Sequence, residues 1–118
     1  MRVNHVALSV RDPDVSARFY VDVLGLDAVR RDEEYGVVLT DGAGLTFALL
    51  RGEPLPDMVR ERVHVGCEVA SADAVRAARD ALAAAGATEL EWWEEDGYVS
   101  VKVADPDGYA VEVFWEVV

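Results

Sequence analysis

From Val3 to Val10 the chain alternates, with Val6, Leu8 and Val10 on one face and His5, Ala7 and Ser9 on the other. That period of two is the mark of a half-buried β-strand. The period then lengthens. Asp12 followed by Pro13 reads as a helix start, an N-cap with proline at the first helical position. Val15, Phe19 and Val23 recur four residues apart beside Tyr20 and Leu24, and Gly25 ends the stripe as a C′ residue. Three short strands are predicted next, near Ala28–Asp32, Tyr35–Thr40 and Leu45–Leu50, with Asp41-Gly42-Ala43-Gly44 turning the last pair.

Residues 51–62 carry two prolines and mixed charges without periodicity, which predicts a linker. The pattern then begins again. Val63–Val69 predicts a strand opening on His64, Ser71 caps a second helix with Val75, Ala78, Leu82 and Ala85 on its face, and Gly86 closes it. Strands are predicted near Thr88–Trp93, Tyr98–Ala104 and Tyr109–Val117. The repeat can be checked by subtraction: His64 minus His5 is 59, Gly86 minus Gly25 is 61, and Asp105 minus Asp41 and Gly108 minus Gly44 are both 64. The offset grows through loops and never reverses, so the expected fold class is α+β, built from two tandem βαβββ modules. Module 1 spans about residues 3–50, the linker about 51–62 and module 2 about 63–118, in one domain over 1–118.

The last strand poses a chemical question. After the turn Asp105-Pro106-Asp107-Gly108, Val111, Val113 and Trp115 share one face and Glu112, Phe114 and Glu116 the other. A carboxylate in the middle of an apolar strand costs several kcal/mol if buried unpaired, so Glu112 wants a cation, a metal or water. The chain has two histidines, and the repeat puts His5 and His64 at equivalent places, on the face to which Glu112 points. A lone histidine is usually a satisfied or exposed residue. Two in one symmetric position with a carboxylate on the same face form the facial triad suited to a divalent first-row metal.

Composition narrows the partners. The net charge of −12, from 23 acidic and 11 basic residues, repels phosphate backbones and anionic membranes, so no nucleic acid and no membrane partner is expected. The apolar run at the N-terminus is too short and wrongly flanked for a signal peptide, and no run approaches the roughly 18 residues of a membrane span. The single cysteine, Cys67, has the valines' parity and is expected to pack under the helix, in a protein of the reducing cytoplasm.

The runs N-H-V-A-L-S-V-R-D and F-Y-V-D-V-L-G-L, R-V-H-V-G-C-E-V and A-D-P-D-G-Y-A-V-E-V together resemble the vicinal oxygen chelate superfamily: glyoxalases, extradiol dioxygenases, fosfomycin-modifying enzymes, acyl-CoA epimerases and bleomycin-resistance proteins. The resemblance implies a cup-shaped mixed sheet with helices outside, and a metal (Fe, Mn, Zn or Ni) held inside by His5, His64 and Glu112. It also exposes departures. The 64-residue offset carries Glu112 back to Ala48, where glyoxalases keep a fourth ligand that doubles as the base. No further histidine remains for dioxygenase acid–base work, and Ala7 stands where fosfomycin enzymes carry threonine.

Strand parity then gives the other cup-facing candidates. Ser100 and Lys102 face inward if Val99, Val101 and Val103 face the helices. Lys102 either meets an anionic substrate oxygen in the cup or sits at its rim, and Glu68 is either a base or a solvated side chain. At most one of Trp92 and Trp93 faces inward, where with Phe114 it would stack an aromatic or apolar ligand. The run Glu89, Glu91, Glu94, Glu95, Asp96 reads as a solvated edge. Glu112, Lys102 and Glu68 are thus the catalytic candidates of a metal-dependent lyase, isomerase or dioxygenase acting on a small oxygen-chelating substrate. The alternative is a metal-free binding protein of the bleomycin-resistance kind that sequesters an aromatic drug or metabolite. A homodimer is expected, with His5 of one chain meeting His64 and Glu112 of the other.

Overall fold

In a computed structural model of the chain, residues 1–60 and 62–117 are described. The chain forms two compact units, Met1–Leu55 and Pro56–Val118. The first contains β1 (His5–Val10), α1 (Pro13–Leu24), β2 (Asp27–Asp32), β3 (Gly36–Thr40) and β4 (Thr46–Arg51). The second contains a one-turn helix α2 (Asp57–Arg60), then β5 (His64–Glu68), α3 (Ala72–Ala84), β6 (Glu89–Glu95), β7 (Tyr98–Ala104) and β8 (Ala110–Glu116). Strand order is β1-β4-β3-β2 in one sheet and β5-β8-β7-β6 in the other. Each module leaves its first strand through a helix, enters at the far edge and meanders back, so β4 lies parallel to β1 and β8 parallel to β5. The α+β class and the two βαβββ modules are therefore observed as expected.

The ladders confirm the repeat at residue level. Ala7 pairs with Ala48, which pairs with Val38. Gly66 pairs with Glu112, which pairs with Lys102. Ala48 thus holds in unit 1 the ladder position that Glu112 holds in unit 2.

Both helices begin where the sequence indicates. The Asp12 carboxylate accepts from the amides of Asp14 (3.0 Å) and Val15 (3.2 Å), and Gly25 takes a left-handed φ of 74° at the other end. The Ser71 hydroxyl accepts from the Ala74 amide at 3.1 Å. The buried face of α1 differs from the predicted stripe: Pro13, Ser16, Ala17 and Tyr20 are buried, while Val15 is 39% exposed. Small residues at 16 and 17 let the helix settle on the sheet, and the Tyr20 ring meets Phe47 edge-on at 4.9 Å. In unit 2, Val75 and Leu82 of α3 cover Val99, Val101, Val103, Val111 and Val113. Each such valine contributes about 1.5 kcal/mol or more by leaving water. Cys67 pairs in register with Val113 on that helix-facing side.

The predicted linker is not structureless. Its α2 turn is too short to leave a period in the sequence, and it is tied down by charge. Arg60 pairs with Asp57 and donates to the carbonyl oxygen of Asp107 in the β7–β8 turn. That turn is built around the buried Asp105, whose Oδ1 accepts from the amides of Asp107 and Tyr109, both at 2.9 Å. Among the described residues no helix is long and apolar enough to cross a membrane.

Candidate functional site

Glu112 lies mid-strand in β8 on the face turned away from α3, flanked by β5 and β7, and is only 8% exposed. Leaving that carboxylate without donors would cost several kcal/mol, and β7 supplies two. The Ser100 hydroxyl donates to Oε2 at 2.6 Å and the Tyr98 hydroxyl to the same oxygen at 2.7 Å. Tyr98 and Ser100 are two residues apart, so the strand period places both side chains on one face. The Tyr98 phenol is pushed above its ordinary pKa, first by burial and then by the Glu112 hydrogen bond, and so remains a donor.

The other oxygen, Oε1, is turned toward His64, whose Nε2 stands 3.7 Å away. The His64 Nδ1 lies 3.2 Å from the Arg62 carbonyl oxygen. A carbonyl only accepts, so Nδ1 is the donor in this contact and Nε2 is the ring nitrogen turned toward Glu112. Gly66, the register partner of Glu112, keeps the space beside Oε1 clear: a Cβ there would stand 3.6 Å from Oε1 and 3.3 Å from Phe114 Cε1.

His64 and Glu112 are the residues of unit 2 that could contribute to holding a divalent metal. Two ligands roughly 2.1 Å from one ion at tetrahedral or octahedral angles stand about 3.0–3.4 Å apart, so the 3.7 Å gap would have to close by about 0.3–0.7 Å for both to reach one ion. The carbonyl behind His64 is the usual outer partner of a metal-binding imidazole. His64 and Glu112 are the two predicted ligands that unit 2 brings together. His5 opens β1 in unit 1, exposed, with Nδ1 2.9 Å from the Asn4 side-chain oxygen. Among the described residues no cluster of three His, Cys, Asp or Glu side chains is gathered around a metal position.

The remaining candidates divide by face. Lys102 is Glu112's register partner on β7, yet its Nζ reaches Glu91 Oε1 at 3.3 Å, toward β6. Leu90, Glu91, Lys102 and Ala110 line a cavity of about 300 Å³, and Ala110 is the register partner of His64. Of the two tryptophans, Trp93 takes the Glu112 face, opposite Ser100 and 52% exposed. Trp92 turns to the helix side, where the Arg79 guanidinium lies 4.2 Å from its ring centre. Trp93 is therefore the tryptophan on the Glu112 face. Phe114 shares the Glu112 face, and Glu68 ends β5 beside it, exposed. Ser100, expected to face a ligand, is 2% exposed and commits its hydroxyl to Glu112.

Sequence reasoning missed Tyr98 and Gly66. Tyr98 has the parity of Ser100 and Lys102 and could have been found by extending that face by one step. Gly66 could have been found from the 59-residue offset, which makes it the equivalent of Ala7: Ala7 pairs with Ala48 as Gly66 pairs with Glu112.

Known structures share this architecture. A possible glyoxalase from Bacillus cereus matches with a TM-score of 0.81 and 23% identity, over 96% of this chain and 97% of that one. A lactoylglutathione lyase from Agrobacterium tumefaciens matches at 0.78 and 20%, over 96% and 92%. A glyoxylase/bleomycin resistance protein/dioxygenase domain from Frankia sp. EAN1pec matches at 0.79 and 24%, over 99% and 98%. At these identities the likeness establishes the fold alone. No protein of curated function matches the chain significantly. The family model of the Glyoxalase/Bleomycin resistance protein/Dioxygenase superfamily matches residues 2–113, almost the whole chain, and the protein belongs to that superfamily.

Proposed function

We propose that this protein is a metal-dependent enzyme, a lyase, isomerase or dioxygenase, acting on a small substrate that presents two oxygens to a divalent Fe, Mn, Zn or Ni ion. His64 and Glu112 hold the ion, with His5 as third donor. The observation that carries the reading is the buried Glu112 carboxylate, held by two hydroxyls through Oε2 and turned through Oε1 toward the Nε2 of His64. When bound, the metal supplies Lewis-acid chemistry at the substrate oxygens.

The chain's own groups do the rest. Glu112 provides a carboxyl oxygen at a fixed point, and His64 the Nε2 nitrogen beside it. Lys102 is paired with a half-exposed Glu91 carboxylate, a weak hold that an anionic substrate group can displace. Glu68, exposed at the end of β5, is the candidate base. A two-fold dimer that lets His5 complete the site from a partner chain, in the reducing cytoplasm, belongs to the same reading.

Metal analysis of untagged protein after dialysis against each of the four ions tests this. One ion per site is expected, lost in His64→Ala with the fold intact. A second reading has its own support: Trp93, Ser100 and Phe114 are consecutive register partners across β6, β7 and β8, so two aromatic rings flank one row of the face. Protein that stays metal-free yet binds aromatic ligands, with Trp93 fluorescence quenched, would replace the enzyme by a sequestering protein.

A further inference from the structure

We infer that the groove between α1 and β2 in unit 1 is a small-molecule site of its own, shaped for a planar aromatic ring that carries one carboxylate. It lies on the helix side of unit 1 and shares no residue with the Glu112 face, so it stands apart from the metal reading. The groove encloses about 430 Å³, within the range of ligand pockets. Buried Ala17 and Val37, half-buried Val21 and exposed Ala28 give it an apolar lining, and Arg18 and Arg31 add two guanidinium groups. The internal repeat indicates what fits there. Arg31 pairs with Val37 as Trp92 pairs with Val101, and Ala28 pairs with Leu39 as Glu89 pairs with Val103. Positions 37 and 101, like 39 and 103, are 64 residues apart, the offset of the repeat. Ala28 and Arg31 thus hold in unit 1 the places of Glu89 and Trp92 in unit 2. In unit 2 those places are filled: the Arg79 guanidinium lies 4.2 Å from the Trp92 ring centre and holds Glu89 by bonds of 2.7 and 3.0 Å. In unit 1 Ala28 supplies only a methyl group, and Arg31 is drawn onto Asp14 at 2.8 and 2.9 Å. A space that one module fills with an indole and a carboxylate is left open in the other. A free ring of that size, bearing its own carboxylate, supplies both missing groups. Arg18, exposed on α1, can pair with the carboxylate or lie over the ring. Asp14 and Asp22 also line the groove and disfavour a second negative charge.

Titration of the whole chain with indole-3-acetate, followed by the amide chemical shifts of the protein, tests this. Saturable shifts are expected at Ala17, Val21, Ala28 and Val37. Arg18→Gln should weaken binding about three- to fivefold, the range for an exposed ion pair. Arg31→Trp, which places the ring of unit 2 in unit 1, and Ala28→Leu should each weaken it by about tenfold or more, because the space is then occupied. Tryptamine, the same ring with a cationic tail, should bind more weakly than indole-3-acetate. Melting curves identify any variant that misfolds. Should Arg31→Trp do so, Ala28→Leu carries the steric test, since it keeps the Arg31–Asp14 pair. Shifts confined to Trp93, Phe114 and their neighbours would place the ligand on the Glu112 face and overturn the inference. Wild-type affinity in the filled variants would overturn it too, as would tryptamine binding as tightly as indole-3-acetate. So would the absence of any shift at about 10 mM ligand, a concentration at which millimolar affinity registers. The metal reading is unaffected by each of these results, because it is read separately by metal content in His64→Ala.

Discussion

Gly66→Ala separates the fold from the site. Gly66 lies in ordinary extended backbone, so alanine meets no conformational barrier, and removing a strand glycine gains roughly 0.5–1 kcal/mol of backbone entropy. Against that, the new methyl would stand 3.3 Å from Phe114 Cε1, which must yield by a few tenths of an ångström. Phe114 is only half-buried and its ring can turn, so the crowding costs on the order of the entropy gained. Net stability should change by less than about 1 kcal/mol, a shift of no more than about 8 °C in a unit of this size. The site should fare worse. The same methyl sits 3.6 Å from Glu112 Oε1, beside the oxygen to which the proposed ion would bind. Affinity for Zn(II) should fall at least about tenfold, equivalent to 1.4 kcal/mol, and Gly66→Val should abolish it. Urea unfolding paired with Zn(II) titration by a competing chromophoric chelator reads both quantities. An alanine variant with wild-type affinity would show that the ion does not reach Oε1 past Gly66.

Three further changes probe the scaffold. Asp12→Ala removes the acceptor of two amides at the start of α1 and should cost about 1 kcal/mol in urea unfolding, within the usual 0.5–2 range. At Gly36, φ is +138° and an added Cβ would collide with the Leu49 carbonyl oxygen, so Gly36→Ala should lose about 4 kcal/mol or more, or fail to accumulate as folded protein. Finally, the Arg31 guanidinium beside Asp14 (2.8 Å) holds the carboxyl below its ordinary range. The stabilisation is therefore present above the unfolded value near pH 4 and is lost as pH falls through the lower folded value. The stability of Asp14→Asn should fall less steeply than wild type between about pH 5 and pH 2, and curves that run parallel would show that the pair contributes nothing.

The fold was legible because local signals and long-range ones agreed. Caps at Asp12 and Ser71, terminal glycines at 25 and 86 and the alternation around Glu112 each specify a local structure, and the repeat links them. Two features escaped for physical reasons. The face of α1 was read from bulk, but packing density favoured small Ser16 and Ala17 against the sheet over Val15. The α2 turn owes its place to Arg60 reaching the Asp107 carbonyl, a contact 47 residues away in sequence that leaves no local period. In the site, Glu112 and His64 followed from parity and repeat. The roles of Ser100 and Tyr98 did not, because parity assigns a face and cannot say whether a hydroxyl spends itself on a ligand or on a neighbouring carboxylate.

The two halves differ in how freely they can change. In unit 1 the row Ala7, Ala48, Val38 carries no polar side-chain atom, so nothing there depends on a neighbour's hydrogen bond. Substitutions along that row should combine additively, each judged by size alone. In unit 2 the equivalent row passes through Glu112, whose charge is stabilised by Tyr98 and Ser100. Changing one member there alters the effect of changing the next, and single steps away from the present arrangement leave a buried carboxylate under-solvated. A lineage diversifying its ligands would therefore accumulate substitutions around Ala48 well before it touched Glu112, and a laboratory library aimed at new specificity should begin in the same place.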